Sequence, residues 1–359
     1  MRLIKRTRLL LLFLMINYVS LAAAGNEINP FIKNYSPRHY KGHPQVWDFA
    51  QSKNGVMYFA NSIMGVLEYN GTVWRRIILP GSGISRSMDT GKDGKVYIGA
   101  TGELGYLETH QGITRYVSLV QKLPERERIF QEVWQTIATP EGIYFRTRRA
   151  IFLYRNGKMD IHKTRTAFYY SGYVHGYLYV TQAGAGLIRI KNGVMETVPA
   201  GDYFYKNRIA IYGILPHENN GILFLSRGNG SFLYDGVTMK PFSTEADFDI
   251  NEKKIYNARQ LRNGHYVICT KEDGIVIMDK QGKVIRRYNT STGLIDETIY
   301  NVFEDKQGGL WIGTSNGISR IDFRSPIKIF DETTGFKGYI ENINRFQGRL
   351  VIATALGVF

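Results

Sequence analysis

The sequence predicts an all-β fold: a seven-bladed β-propeller of four-stranded antiparallel blades, followed by the truncated start of a second propeller. Three observations carry this. A glycine-led hairpin pattern recurs along the 359 residues. Its spacing matches the ~40 to 45 residues that a four-stranded blade consumes. The composition, with 24 Tyr, 19 Phe and 38 Gly, favours strands joined by many turns.

The elements follow in order. Arg2, Lys5, Arg6 and Arg8 precede an almost wholly apolar run from Leu9 to Leu21, and Ala22, Ala23 and Ala24 then offer small residues. This is the pattern of a secretory signal, residues 1–24, cleaved near Ala24. An uncleaved anchor is the alternative, but the apolar run falls short of the ~20 residues a span requires. Residues 25–45 are read as a lead-in, with a ring-closing strand somewhere in Phe31 to Tyr40.

The propeller proper is placed at residues 46–335. Its copies begin "NGVMYFAN" at Asn54, "DGKVYIGA" at Asp93, "EGIYFRTR" at Glu141, "HGYLYVTQ" at His175, "NGILFLSR" at Asn220, "NGHYVICT" at Asn263 and "QGGLWIGT" at Gln307. An eighth, "QGRLVIATALGVF", starts at Gln347, so residues 336–359 are read as the opening of a second propeller. The first-turn glycines are Gly55, Gly94, Gly142, Gly176, Gly221, Gly264, Gly308 and Gly348, with intervals of 39, 48, 34, 45, 43, 44 and 40 residues. A small sheet cannot bury both faces alone, so the copies must stack in a ring. Trp311 and its counterparts Tyr58, Tyr97, Tyr144, Tyr179, Phe224 and Val267 are expected to pack one blade on the next. In the seventh copy Tyr300 to Glu304 is the first strand, and Ile327 to Phe330 is read as the outer fourth. Seven blades are favoured over eight, because a ring including Gly348 lacks outer strands.

"IYNVFEDKQGGLWIGTSNGISRID" resembles the two-component regulator propeller repeat: Asp305, Gly308, Leu310, Trp311, Ile312, Gly313, Thr314, Gly317 and Arg320 fill its fixed positions, with Ile299, Val302 and Ile318 as apolar substitutes. The lead-in from Asn29 to Asn61 looks like the start of the periplasmic sensor region of Bacteroidetes regulators. The resemblance implies a periplasmic sensor, membrane-anchored in a full-length receptor, in which a second propeller, a triple-tyrosine sandwich and a kinase or DNA-binding output follow. No output motif is present here, so the chain is expected to be a fragment of a longer receptor or a truncated gene product.

Aligning the inner-strand starts "VWDF", "VWQT", "IYGI", "IYNA" and "IYNV" places Trp47, Trp134, Tyr212, Tyr256 and Tyr300 at one recurrent position, with Asn257 and Asn301 beside two of them. At a propeller's channel mouth, flat rings can stack on a sugar while amides bond its hydroxyls. The same rings can instead fill gaps between blades. Arg146, Arg148 and Arg149 form a second cluster, able to grip a carboxylate or sulfate or simply to be a solvated basic loop.

The expected function is an extracytoplasmic sensor of carbohydrate fragments whose partners are an oligosaccharide, the missing receptor domains and a possible second copy of the chain. A propeller enzyme acting on polysaccharide and a structural interaction module are the alternatives. Catalytic pairs are not evident: Glu304 and Asp305 adjoin, but they would face opposite sides of a strand. His39 and His43 are bracketed by Pro37 and Pro44, which disfavours a helical metal pair. No cofactor is predicted. The net charge is +15, of which the four basic residues of the signal leave +11 on the mature chain. This favours acidic ligands or an anionic membrane surface, while export argues against nucleic acid. Cys269 stands alone, excludes an internal disulfide and reads as a small core residue.

Overall fold

A computed structural model of the chain describes residues 29–63, 65–81, 83–329 and 338–358. The expected signal segment lies outside the described residues. Ile32–Arg324 forms one compact unit, and the described residues of Met1–Phe31 and Ser325–Phe359 belong to another.

In the larger unit the strands fall into successive antiparallel meanders. After β1 (Asn29–Tyr35) come β2 (Val46–Gln51), β3 (Met57–Asn61), β4 (Gly65–Tyr69) and β5 (Trp74–Ile77) as the first sheet. β6 (Ser85–Thr90), β7 (Val96–Ala100), β8 (Glu103–His110) and β9 (Ile113–Ser118) form the second. The third is β10 (Gln135–Thr139), β11 (Gly142–Arg146), β12 (Ala150–Arg155) and β13 (Lys158–Lys163). The fourth is β14 (Phe168–Val174), β15 (Tyr177–Gln182), β16 (Gly186–Lys191) and β17 (Val194–Thr197). β18 (Ala210–Pro216), β19 (Ile222–Arg227), β20 (Ser231–Tyr234) and β21 (Met239–Phe242) make the fifth. β22 (Ile255–Gln260), β23 (Tyr266–Thr270), β24 (Ile275–Met278) and β25 (Val284–Tyr288) make the sixth. β26 (Ile299–Glu304), β27 (Gly309–Thr314) and β28 (Gly317–Asp322) begin the seventh.

Each innermost strand neighbours the next, from β2 to β6, β10, β14, β18, β22 and β26, and β26 returns to β2. Seven sheets therefore close a ring, and the apolar clusters lie between them. Val66, Ile77, Met88 and Ile98, for example, join the first sheet to the second. Two-sided burial is why strands such as β3, β7, β23 and β27 are buried at every position instead of alternating. Tyr58, Tyr97, Tyr144, Tyr179, Phe224 and Val267 are all buried. So is Cys269.

Ring closure differs from the sequence reading in one respect. Where the sequence reading put Ile327 to Phe330, of which Phe330 lies outside the described residues, the strand beside β28 is β1, from the start of the chain. Asn34 fixes it: its Oδ1 accepts from Ser319 Oγ at 2.6 Å and its Nδ2 donates to Gly293 O at 2.9 Å. Tyr35 stacks on Trp311 with ring centroids 5.7 Å apart. In the smaller unit, Asn29 and Pro30 pair with Ile329 and Lys328 of β29 (Lys328–Ile329). There too β30 (Ile340–Phe346), β31 (Arg349–Thr354) and β32 (Gly357–Val358) form an antiparallel sheet, at the place where the sequence reading puts the opening of a second propeller.

The seventh sheet shows why its repeat is written so strictly. The Asp305 carboxylate is 2% exposed, too buried to stand uncompensated. It accepts from Gly309 N at 2.8 Å, Gln307 N at 3.0 Å and Trp311 Nε1 at 2.8 Å. Arg320 adds Nε at 3.0 Å and Nη2 at 2.9 Å. One carboxylate thus holds the turn, the indole and the returning strand. Gly308 supplies the turn's φ of 85°, which few other residues adopt. Gly313 is needed for another reason: a Cβ there would lie 2.6 Å from Val46 O of the neighbouring inner strand.

Candidate functional site

The site is built by one device repeated round the ring. In six of the seven inner strands the register with the second strand shifts at the same place. The shifts lie between Val46 and Asp48, Ser85 and Ser87, Phe168 and Ser171, Ile211 and Gly213, Ile255 and Asn257, and Ile299 and Asn301. Each is a bulge with one extra residue. Strict alternation sends consecutive side chains to opposite faces, and a bulge cancels it. Hence Trp47 and Asp48, Tyr256 and Asn257, and Tyr300 and Asn301 line one cavity as adjacent pairs. In the third sheet Trp134 precedes β10, with its N–H donating to Arg146 O at 2.8 Å, and shares the cavity with Gln135.

That cavity, about 340 Å³, occupies the channel mouth. Trp47 stacks on Tyr300 at 4.1 Å and 21°, and Tyr256 meets Tyr300 edge-on at 5.3 Å. On the other side cations stand between rings. The Arg86 guanidinium lies 4.2 Å from the Trp47 centroid and 5.5 Å from that of Trp134; Arg148 lies 6.0 Å from Trp134 and 5.3 Å from Tyr169. Arg227 sits 4.1 Å from Tyr212. Such contacts favour a cation on each ring face.

Below the rings, polar residues near these positions bond across blade boundaries. Asp48 Oδ2 accepts from Met88 N at 2.9 Å, and Ser87 Oγ meets Thr136 Oγ1 at 2.9 Å. Gln135 Oε1 accepts from Ser171 N at 2.7 Å. Asn257 Nδ2 donates to Asn301 Oδ1 at 2.9 Å, and Asn301 Nδ2 to Asp48 Oδ1 at 2.5 Å. Arg259 donates from Nε to Asn301 Oδ1 at 3.1 Å and lies 3.6 Å from Asp48. Burial pushes Asp48 up to about 6, against the opposing pull of Arg259. Burial likewise raises Asp89, whose Oδ2 accepts from Ala138 N at 2.8 Å. Arg146 is lowered to about 9, first by burial and then by Arg148.

The structure gathers nine of the ten residues singled out from sequence into this cavity: Trp47, Trp134, Arg146, Arg148, Tyr212, Tyr256, Asn257, Tyr300 and Asn301. Their parts differ. Asn257 and Asn301 bond within the inter-blade belt, Asn257 Oδ1 also accepting from Tyr170 OH at 2.7 Å. Arg146 is buried and donates to Gln135 Oε1 at 2.9 Å and Phe168 O at 3.3 Å. Arg149 does not line this cavity: its Nη1 donates to Arg165 O at 2.5 Å, and it lines a separate hollow. Sequence reasoning missed Arg86, Tyr169, Tyr170, Asp48, Gln135 and Arg259. Arg86 had a signal: it stands eight residues before Gly94, as Trp47, Trp134, Tyr256 and Tyr300 stand eight before Gly55, Gly142, Gly264 and Gly308.

A closed ring of small antiparallel sheets defines a β-propeller. Residues 293–316 match the family model described as two component regulator propeller, so the chain carries that repeat. Its fold resembles that of the extracellular domain of the hybrid two component system BT3049 from B. thetaiotaomicron, with a TM-score of 0.67 and 18% identity over 92% of this chain and 48% of that one. The corresponding domain of BT4673 from the same organism gives 0.65 and 16%, over 92% and 45%. Virginiamycin B lyase from Staphylococcus aureus gives 0.59 and 14%, over 83% and 100%. The chain spans about half the length of the two-component domains it matches. No curated protein matches it. Among the described residues, no helix is long and apolar enough to cross a membrane, and no group of His, Cys, Asp and Glu is arranged to hold a metal ion.

Proposed function

We propose that this chain is the ligand-binding propeller of an extracytoplasmic two-component sensor, exported by its N-terminal signal and recognising a carbohydrate fragment at the channel mouth. One observation carries the reading: a single 340 Å³ cavity collects the recurrent aromatic position from sheet after sheet, with polar side chains directly beneath the rings. Flat apolar faces flanked by hydrogen-bonding groups suit a pyranose. The repeat match and the likeness to extracellular domains of two-component systems support the sensor class. The carboxylate of the cavity, Asp48, is engaged by Asn301 and Met88, which supports binding over catalysis.

The test is thermal unfolding against a panel of oligosaccharides. A ligand at ~100 times its Kd, bound only by the folded state, adds about 2.7 kcal/mol. The expected result is a raised midpoint with one sugar class, abolished in Trp134→Ala. A folded protein whose midpoint no sugar moves overturns the reading.

A further inference from the structure

We infer that the mouth contains an anion subsite between Arg86 and Arg148, with Trp134 joining them, and that the recognised carbohydrate is acidic. This rests on the carbohydrate reading above and specifies the class of sugar. The argument begins with which cations at the mouth already have partners. Arg259 has Asp48 and Asn301, Arg146 has Gln135 and Phe168 O, and Arg227 donates to Ile255 O at 2.6 and 3.1 Å. Arg86 and Arg148 differ: among the described residues their guanidinium groups make no hydrogen bond and no ion pair, and lie against aromatic rings. Arg86 Nε is buried without an acceptor.

A buried donor left unpaired is costly, and native structures rarely keep one without a use. Here two unpaired forks flank one indole at the rim of a cavity whose deeper wall is already bonded to itself. A guanidinium fork pairs with planar carboxylate or tetrahedral sulfate through parallel N–H donors. An acid group on a sugar ring can sit between Arg86 and Arg148 while Tyr169, Tyr212 and Tyr256 remain as stacking surfaces for neighbouring rings. A wholly neutral oligosaccharide would leave Arg86, whose Nε is buried, without a counter-charge. The net surplus of positive charge on the chain acts in the same direction.

The experiment presents the protein to an array carrying neutral, uronate-bearing and sulfated oligosaccharides, with inorganic sulfate as a competitor. Wild-type protein should retain acidic members only, less as salt is raised. Arg86→Gln and Arg148→Gln should each weaken that retention by about tenfold or more at an unchanged melting temperature. Uronates without sulfates, or the reverse, identify the anion. Retention of neutral sugars alone overturns the anion subsite and leaves the carbohydrate reading standing, whereas retention of nothing overturns both. Acidic sugars held equally by wild type and both variants place the anion elsewhere and also overturn the inference. Inorganic sulfate competing as well as the sugars reduces the site to a bare anion pocket, which overturns its assignment to an acidic sugar.

Discussion

Two walls of the channel mouth use the same strand position for opposite ends. On the wall made by β22, β26 and β2, ring lies against ring, and the amides below bond one another across blade boundaries. On the wall made by β6, β10, β14 and the turn between β11 and β12, Arg86 and Arg148 stand between rings and make no hydrogen bond among the described residues. The first wall is bonded to itself beneath its rings, so its polar groups hold the blades together. The second leaves the Arg86 and Arg148 guanidiniums without a hydrogen-bond partner among the described residues, which is the basis of the recognition role proposed above. A shared position along a repeat therefore says where a side chain points, and its neighbours decide what it does.

The comparison can be broken most severely at Asn301. Asn301→Ala removes the amide that donates to Asp48 and accepts from Asn257 and Arg259, leaving buried groups unpaired. A loss of about 2 to 4 kcal/mol is expected by urea denaturation. A loss below ~0.5 kcal/mol would mean that the belt does not hold the blades.

Next in size is a pH effect. The folded Asp48 carboxyl, at about 6, lies above its ordinary 3.8. Ionising it therefore costs more in the folded protein than in the unfolded chain, so the contribution of Asp48 to stability is fully present below about pH 4 and is lost as pH rises through 6. The decline should be on the order of 2 to 3 kcal/mol. Asp48→Asn should flatten that part of the curve, and the difference between the two curves isolates Asp48 from Asp89, which shifts in the same direction.

Smaller still is the Trp47–Tyr300 stack. A double-mutant cycle with Trp47→Leu and Tyr300→Leu should give a coupling of about 0.5 to 1.5 kcal/mol. The least effect on stability is expected on the other wall: Arg148→Gln, at an exposed residue, should change it by under ~0.5 kcal/mol. If Arg148→Gln cost as much as Asn301→Ala, the division between the walls would fail.

How much of this could be read in advance follows from the range of the interactions. The blades were legible because their turns are local: six of the eight turn glycines, from Gly55 to Gly348, have φ between 79° and 89°. Gly221 departs, with φ of −70°, and Asn219 and Asn220 take the left-handed conformation in its stead. The aromatic mouth was legible because five inner strands share one pattern. Arg86 was hidden by its setting: "ISRSMD" offers neither ring nor apolar run, and only a count from Gly94 aligns it. The belt was hidden altogether. Asn301 and Asp48 lie 253 positions apart, and nothing near either residue announces the other. Likewise β1 was foreseen as a strand between Phe31 and Tyr40, but not its place beside β28, which depends on Ser319 meeting Asn34.

That latch gives the ring a schedule. The side chains that meet in it, Asn34 and Ser319, are 285 positions apart, so an early strand must wait, unpaired, until nearly the whole ring has been made. Closing so long a loop is slow, and the waiting edge is exposed meanwhile. The same join is where a pull on the chain from its early end would be felt first. What looks like one more strand in a sheet is thus the place where the two ends of the ring are joined.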